Sequence, residues 1–291
     1  MENNPSEHKK SRSWLRDSLG AKLAAIAFLI LILIIPVSMI EDLIWERQNR
    51  QDTVINEVSR DWSGAQTVVG PILSIPYSKW VEYDDNKRRE EKHVAHFLPT
   101  ELKIKGDLAH QIRKRGIFEA ILYQASGEIS GTFYKPNFDA LHVNPKDIHW
   151  DQAKISVGIS GMTGIKGKNE LKWGDSTQRM ESGTAYPSLL SSGVSRPVSV
   201  QKDTEKYDFS FPFKLNGSRY FHLEPVGKMT TVNLTSDWHS PSFDGAFLPD
   251  QREISPEGFS AEWQILDLNR NYPQQWKDNE YSLLNQSRSS G

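Results

Sequence analysis

Histidine is the residue type in this sequence best suited to act as an acid, a base or a metal ligand, and its eight copies are scattered. His93 and His96 form an H-x-x-H spacing within a run typical of a strand. Side chains of a strand alternate between two faces, so residues three apart point in opposite directions. We therefore do not expect this pair to share a metal ion, and we predict no metal-ligating residues. The chain contains no cysteine, which excludes a disulfide framework, a thiolate zinc site and a cysteine nucleophile.

Two other segments contain residue types that could support catalysis or cofactor binding. Residues 161–168, GMTGIKGK, resemble a phosphate-binding loop, but five residues separate the outer glycines and Asn169 replaces the Ser or Thr that would bind magnesium. Asp237, Trp238 and His239 place an acid, an aromatic ring and a base in succession, yet neighbours in an extended chain point apart. No G-x-S-x-G motif is present. We predict no catalytic and no cofactor-binding residues, no cofactor, and a protein that is not an enzyme.

Aromatic residues and two loop-like segments give the remaining candidates for binding. Core or rim packing is the usual role of large aromatic side chains in strands, and an aromatic platform for a carbohydrate or peptide is the alternative. These interpretations concern Trp80, Trp150, Trp173, Trp238 and Trp263. Residues 161–198 and 239–258 are rich in Gly, Ser, Thr or Pro, which predicts loops. Such loops either connect distant strands or carry a binding surface.

The elements that would position these residues are predicted to be strands. From Ser63 onward, short runs rich in Val, Ile, Tyr and Phe are separated by Gly, Pro and polar residues. Tyr207 to Leu215 alternates aromatic or apolar residues with polar ones or proline, and Asn216-Gly217 then predicts a type I′ hairpin turn. Residues 84–87, DDNK, predict another turn. Because no helical segments intervene, we predict a mainly β fold, an antiparallel β-sandwich or layered sheet.

Leu23 to Ile40 is a run of eighteen uncharged, mostly apolar residues. As a helix it would span about 27 Å, close to the roughly 30 Å hydrocarbon core of a bilayer. A cleaved signal peptide is the alternative, but its apolar core is shorter and it ends at a small-x-small site, which Met39 to Asp42 does not provide. We predict one N-terminal transmembrane helix, kinked at Pro36.

Charge and pattern on either side of this run predict the organisation of the chain. The first 22 residues hold five Lys or Arg against three acidic residues, which predicts a cytoplasmic N-terminus. After the run, Val54, Ile55, Val58 and Trp62 fall on one helical stripe, which predicts a juxtamembrane helical extension. The net charge of −2 gives no basic face for nucleic acid. The predicted segments are 1–22 cytoplasmic, 23–45 transmembrane helix, 46–63 juxtamembrane helix, 64–276 β-rich periplasmic domain and 277–291 polar tail.

Several blocks, in this order, resemble the CreD family of bacterial inner-membrane proteins. They are residues 46–77, 97–108 (FLPTELKIKGDL), 113–133, 218–263 and 268–276 (LNRNYPQQW). The resemblance runs from about residue 20 to 276. It implies an inner-membrane location in a Gram-negative bacterium, a large periplasmic domain, and links to envelope integrity, two-component regulation, colicin tolerance and the β-lactam response. Family members continue into several C-terminal membrane helices, which this chain is expected to lack.

Together these observations predict an inner-membrane-anchored envelope protein whose periplasmic β domain supports cell envelope integrity or the stress response. The alternative is a periplasmic sensory or ligand-binding module that uses residues 161–198 or 239–258. An enzyme acting on envelope polymers is a third hypothesis. The expected partners are the lipid bilayer and other envelope proteins or wall-derived ligands, and no nucleic acid.

Overall fold

The computed structural model describes residues 19–84 and 87–284 of the chain. It divides into two compact units, the first ending at Ile55 and the second beginning at Asn56. A single helix, α1, covers Leu19–Asp61, so the predicted transmembrane and juxtamembrane segments belong to one element. In the described part of the chain, this is the one helix long and apolar enough to cross a membrane.

The rest of the described chain is built mainly of strands, as the sequence predicted. Short 3₁₀ turns connect some of them. The strands are β1 (Gln66–Asp84), β2 (Lys87–Phe97), β3 (Glu101–Arg115), β4 (Phe118–Tyr134), β5 (Lys154–Ile159), β6 (Glu170–Trp173), β7 (Ser176–Arg179), β8 (Glu181–Ser182), β9 (Gly193–Pro197), β10 (Lys206–Ser218), β11 (Phe221–Glu224), β12 (Met229–Ser236), β13 (Gln251–Ser255), β14 (Gly258–Leu266) and β15 (Gln275–Lys277).

These strands form two sheets that share one hydrophobic core. The seven-stranded sheet has the order β15-β2-β1-β5-β9-β8, and β11 also pairs with β1. The eight-stranded sheet has the order β13-β14-β12-β3-β4-β10-β6-β7. Neighbours are antiparallel except for β1 with β11 and β3 with β12, which are parallel. Ile72 and Ile155 from the first sheet and Ile129 and Phe211 from the second all lie in this core, so the layered β architecture is confirmed.

The alternation in β10 shows why this segment forms a strand at the core. Tyr207, Phe209, Phe211, Phe213 and Leu215 are all buried, whereas Lys206, Asp208, Pro212 and Lys214 between them are exposed. Successive side chains of a strand point to opposite faces, so one face of β10 collects every aromatic residue. Burial of large aromatic side chains is a major stabilising contribution to such a core.

The predicted hairpin at Asn216-Gly217 is wrong, because β10 continues through both residues. Asn216 pairs with Gln124 and Gly217 with Tyr123 of β4. A Cβ atom on Gly217 would lie 2.3 Å from the hydroxyl oxygen of Tyr123, so the glycine admits a neighbouring ring rather than a turn. Just after β10 ends, Arg219 adopts a left-handed backbone conformation, with φ 65°. Beyond it, β11 pairs with β1 in the other sheet instead of folding back on β10.

Two segments predicted to lack regular structure contain strands. Residues 161–198 hold β6 to β9, so this segment is not a simple loop. Residues 277–291 were expected to form a polar tail, but Lys277 ends β15 and Leu283 and Leu284 are buried in the core. The buried leucines, the contact of Tyr281 with Trp276 and the hydrogen bonds of Asp278 tie this segment to the domain. Residues 285–291 lie outside the described residues, as do residues 85 and 86 of the predicted DDNK turn, whose flanking strands β1 and β2 pair antiparallel.

Candidate functional site

His96 is a buried residue of the core. Its Nδ1 lies 2.8 Å from the Ser74 hydroxyl oxygen on the neighbouring strand β1. The rings of Tyr186 and Trp276 contact it, with centroids 5.4 and 5.6 Å away. Burial lowers the pKa of His96 to about 4, against the opposing influence of Asp278. His96 is therefore a neutral side chain that helps to hold the seven-stranded sheet together.

His93 points to the other face of β2, as the H-x-x-H spacing predicted. Its Nδ1 lies 2.8 Å from a carboxylate oxygen of Asp278, and its ring stacks on Tyr77. The second carboxylate oxygen of Asp278 accepts a hydrogen bond from the backbone N–H of Val94. Burial raises the pKa of Tyr77 to about 12, and the negative charges of Asp278 and Glu280 add to that shift. Asp278 thus joins β2 to the segment after β15.

Metal-ligating residue types do not converge in the described ranges, residues 19–84 and 87–284. No group of three or more His, Asp or Glu side chains there could hold a metal ion. The structure places His93 and His96 on separate faces with different partners, which gives no shared site.

One constellation of acidic, basic and aromatic side chains joins residues that follow two strands distant in sequence. The parallel pairing of β3 with β12 ends at Leu108 and Ser236, and the next residues bring His110 next to Asp237. One carboxylate oxygen of Asp237 accepts the backbone N–H of His110 at 2.9 Å and lies 2.6 Å from its Nδ1. Trp238 meets the His110 ring edge-on, and His239 stacks on Trp238. We call these four side chains the His110 cluster.

The electrostatics of the His110 cluster favour an ionised carboxylate. Partial burial raises the pKa of Asp237, but hydrogen bonds from the backbone and ring of His110 outweigh it and hold that pKa below its usual range. An imidazole whose Nδ1 faces a carboxylate corresponds to two members of a catalytic triad. The Asp237 side chain is exposed, whereas His110 is partly buried. From the sequence we expected no dyad within residues 237–239, and the structure pairs Asp237 with His110, which sequence reasoning missed because 127 positions separate the two residues.

The segment 239–258 covers one face of β14 with aromatic side chains. The ring of Phe243 contacts Phe259 and Trp263 edge-to-face, at 5.5 and 5.7 Å. The indole N–H of Trp263 donates to the carbonyl of Phe247 at 3.2 Å. The second half of the segment is strand β13, paired with β14. These contacts give the first half of the segment a fixed path across the sheet.

The remaining tryptophans divide between packing and exposure. Trp173 is buried and stacks on Tyr207, and Trp150 meets the ring of Phe138 edge-to-face. Trp80 is exposed on β1. The packing interpretation therefore accounts for Trp150, Trp173 and Trp263, while an aromatic platform would have to be built around the exposed faces of Trp80 or Trp238.

A shallow depression lies within residues 161–198, the other segment predicted as a binding surface. Its volume is about 360 Å³, and its lining residues are Arg179, Met180, Glu181, Ser182 and Arg196. Arg196 forms an ion pair with Glu181, and its Nε donates to Gln178 at 2.9 Å. The depression therefore combines two guanidinium groups with one carboxylate on an open surface.

Comparison with known proteins gives one family. A family model described as "Inner membrane protein CreD" matches residues 18–290. The Escherichia coli (strain K12) protein of the same description is 28% identical over 255 residues, which cover 86% of this chain and 56% of the E. coli protein. The chain thus spans about half the length of this curated relative. No solved structure matches the chain.

Proposed function

The chain belongs to the CreD family of inner membrane proteins, and from this premise we propose that it supports envelope integrity through a membrane-anchored β domain. In this proposal the domain acts by binding, without catalysis, and faces the periplasm. Membership of the family supports a location in the inner membrane. The role in integrity or stress response, the orientation and the binding mode are the proposed parts.

The exposure of α1 is the observation that carries the proposal. Its large apolar side chains, from Leu19 to Trp45, are between 47% and 75% exposed. A helix that is apolar all round is stable only where its surroundings are also apolar, in a large core or in lipid. Because none of this window is buried inside the protein, lipid is the environment that fits.

The charges before α1 support the proposed orientation. The first 22 residues hold five Lys or Arg against three acidic residues, the bias that keeps a flanking segment in the cytoplasm. Alkaline phosphatase fused after residue 284 should therefore be active, whereas a reporter that fluoresces only in the cytoplasm should stay dark at the same position. The reverse pattern would overturn the orientation while leaving the anchor intact.

A deletion and complementation experiment tests the envelope role. Cells without the gene should become more sensitive to detergent, a β-lactam or a colicin, and the full chain should restore tolerance. The matched variant replaces the apolar run 23–40 with a cleavable signal peptide, so that the β domain is released, and it should fail to restore tolerance. Unchanged sensitivity after deletion would contradict the role, and equal rescue by the released domain would show that the anchor is dispensable.

A ligand-binding module is the second candidate function, and the depression at Arg179 and Arg196 favours it. Two guanidinium groups and the one carboxylate of Glu181, which pairs with Arg196, leave the depression with a net positive charge that suits a carboxylate ligand such as a wall-derived peptide. Binding of muropeptides to the detergent-solubilised chain should weaken in Arg196→Gln and persist in Arg252→Gln, a change at an exposed arginine of β13. No measurable binding, or equal weakening in both variants, would remove this candidate.

A further inference from the structure

The β3–β4 hairpin projects past the strands that flank it. The pairing of β3 with β12 ends at Leu108, and the pairing of β4 with β10 ends at Leu122. Residues 112–121, with the sequence IRKRGIFEAI, therefore pair only with each other across the hairpin, within the part of the chain that the structure describes. We call these residues the hairpin tip. A projecting two-stranded tip needs support from another element to keep a fixed conformation.

The end of α1, which belongs to the same compact unit as the hairpin, provides that support. The Arg113 guanidinium lies over the indole of Trp62, 5.0 Å from the ring centroid. A guanidinium nitrogen of Arg115 lies 2.9 Å from a carboxylate oxygen of Glu57. The indole N–H of Trp62 donates to the carbonyl of Tyr123 on β4 at 3.3 Å. The hairpin tip is thus held at the point where the helix enters the β domain.

The opposite face of the hairpin tip carries two isoleucines beside the Lys114–Glu119 ion pair, and no described element covers it. Ile112 and Ile121 are directly opposite each other in the ladder, and each is 49% exposed. Ile117 follows the turn glycine Gly116 and is 81% exposed. Because side chains alternate along a strand, the isoleucine pair lies on the face away from Arg113. Three exposed isoleucines on one projecting tip form an apolar patch of the kind that marks an interaction site.

The charge of the hairpin tip selects among possible occupants. It carries Arg113, Lys114 and Arg115 against Glu119, so cations exceed carboxylates by two. The ion pair between Lys114 and Glu119 is exposed and contributes little to stability. Apolar side chains flanked by Lys and Arg are typical of segments that lie in the interface of an anionic membrane.

The chain itself keeps the hairpin tip near a membrane. Glu57, the partner of Arg115, follows Trp45 of the apolar segment by twelve residues. Twelve residues reach about 18 Å as a helix and about 40 Å when extended. The tip is therefore tethered within a short distance of the lipid headgroups.

We propose that the hairpin tip is a second membrane contact, which inserts Ile112, Ile117 and Ile121 into the interface of an anionic lipid surface. Lys114, on the same face as Ile112 and Ile121, lies at the level of the lipid phosphates, while Arg113 and Arg115 hold the tip against the end of α1. A second copy of this chain is the other occupant to consider, but a stable interface buries about 800 Å² on each partner. Three isoleucines on a two-stranded tip fall short of that area. The contact would hold the β domain against the bilayer whichever side of the membrane it occupies.

The proposal is tested by measuring how deep a label on the hairpin tip lies in a bilayer. Because the chain contains no cysteine, a single introduced cysteine can be labelled specifically. The full-length Ile117→Cys variant is labelled with a fluorophore at position 117. It is then placed in nanodiscs that contain anionic lipid and one copy of the chain each. Leu268→Cys is the matched control, since Leu268 is 88% exposed on a 3₁₀ turn outside the hairpin. A nitroxide attached to a lipid headgroup should quench the label at residue 117 more than about twofold more strongly than the label at 268, as expected for an interfacial residue.

The outcomes that overturn the proposal are defined by the same two variants. Equal, weak quenching at both positions places the hairpin tip in water. Absence of lipid quenching, combined with disulfide crosslinking of the unlabelled Ile117→Cys chain in proteoliposomes, identifies a second copy as the occupant.

A charge variant tests the anionic component separately. Lys114→Gln in the labelled chain should reduce quenching in anionic discs and change little in zwitterionic discs, whereas Lys103→Gln, earlier on β3, should change neither. Equal quenching of the Lys114 variant and its parent in anionic discs would remove the electrostatic contribution from the proposal.

Discussion

Helix α1 and strand β1 contain the same kinds of apolar residue in opposite surroundings. In α1, Leu29 and Leu31 are more than half exposed, and the exposed fraction of the other large apolar side chains up to Trp45 is at least 47%. In β1, Val69, Ile72 and Leu73 are fully buried between neighbouring strands and the facing sheet. The difference teaches that the two segments satisfy their apolar side chains in different surroundings. The side chains of α1 fit a lipid environment, and those of β1 are buried by the rest of their own domain.

This contrast has a physical basis in how each element satisfies its backbone. A helix makes its hydrogen bonds within itself and can enter a bilayer alone. A strand must find partners, and β1 pairs with β2, β5 and β11. Substitutions in α1 should therefore alter membrane attachment and leave the stability of the β domain unchanged, while substitutions in the core should do the reverse.

The largest expected effect comes from opening a cavity in the core. Phe211→Ala should lower the free energy of unfolding of the β domain by about 3 to 5 kcal/mol, because Phe211 is fully buried. The matched change Leu31→Ala in α1 should leave that free energy unchanged. Denaturant titration of the solubilised chain, followed by tryptophan fluorescence, measures both. Similar losses in the two variants would break the contrast between α1 and β1.

A charge in the apolar run should produce the converse result. Leu31→Arg places a guanidinium near the middle of the span, at a cost of about 3 kcal/mol for insertion. Carbonate extraction should then release more of the variant than of the parent chain, while the β domain keeps its unfolding midpoint. Trp80→Arg, at an exposed position of β1, is the control and should remain in the membrane fraction. Full retention of Leu31→Arg would contradict the lipid environment assigned to α1.

Acid should act on the β domain, because residues 23–40 carry no ionisable side chain. His96 has a pKa of about 4 in the folded state through burial, below the usual value of about 6.5, so the unfolded chain binds the proton first. Its contribution to stability is therefore complete above pH 6.5 and declines as the pH falls toward 4. Between pH 6.5 and 5 we expect a loss of about 2 kcal/mol from this residue.

Paired variants isolate this contribution. The difference between the free energies of unfolding at pH 7 and at pH 5 should be smaller in His96→Gln than in the parent chain. His239→Gln, at an exposed position, should retain the full parental difference. An identical pH dependence in all three proteins would show that His96 titrates normally.

A change confined to one contact tests the close approach of β4 and β10. Gly217→Ala should cost about 1 to 3 kcal/mol, because its Cβ would collide with the Tyr123 ring. Tyr123→Leu removes the ring, so the double variant should lose less stability than the sum of the two single changes. Strictly additive losses would mean that the glycine is required for another reason.

The elements with strong local patterns were predictable from the sequence, and their partners were not. The apolar run in α1 and the alternation from Tyr207 to Leu215 each carry a periodicity that one segment reveals alone. Nothing local indicates the parallel pairing of β3 with β12 or of β1 with β11. At Asn216-Gly217 the sequence strongly predicts a turn, but both residues pair with β4 as part of β10, because tertiary contacts outweigh local preference.

The same distinction explains what could be predicted about the candidate sites. The opposite directions of His93 and His96 follow from strand geometry alone. The His110 cluster depends on the register of β3 against β12, and the hairpin tip depends on where β12 and β10 stop pairing. Registers between distant segments are set by the whole core, so a single sequence does not specify them.

The position of β15 at the edge of its sheet has a consequence for synthesis. Residues 275–277 cover the edge of β2, pairing with residues 95–97, and they leave the ribosome about 180 residues later. At about 5 to 20 residues per second, that edge waits roughly 10 to 35 s for its partner. An uncovered strand edge is a template for pairing with other chains. During each round of production, the nascent chain thus has a defined interval of aggregation risk, in which a holding chaperone would matter most.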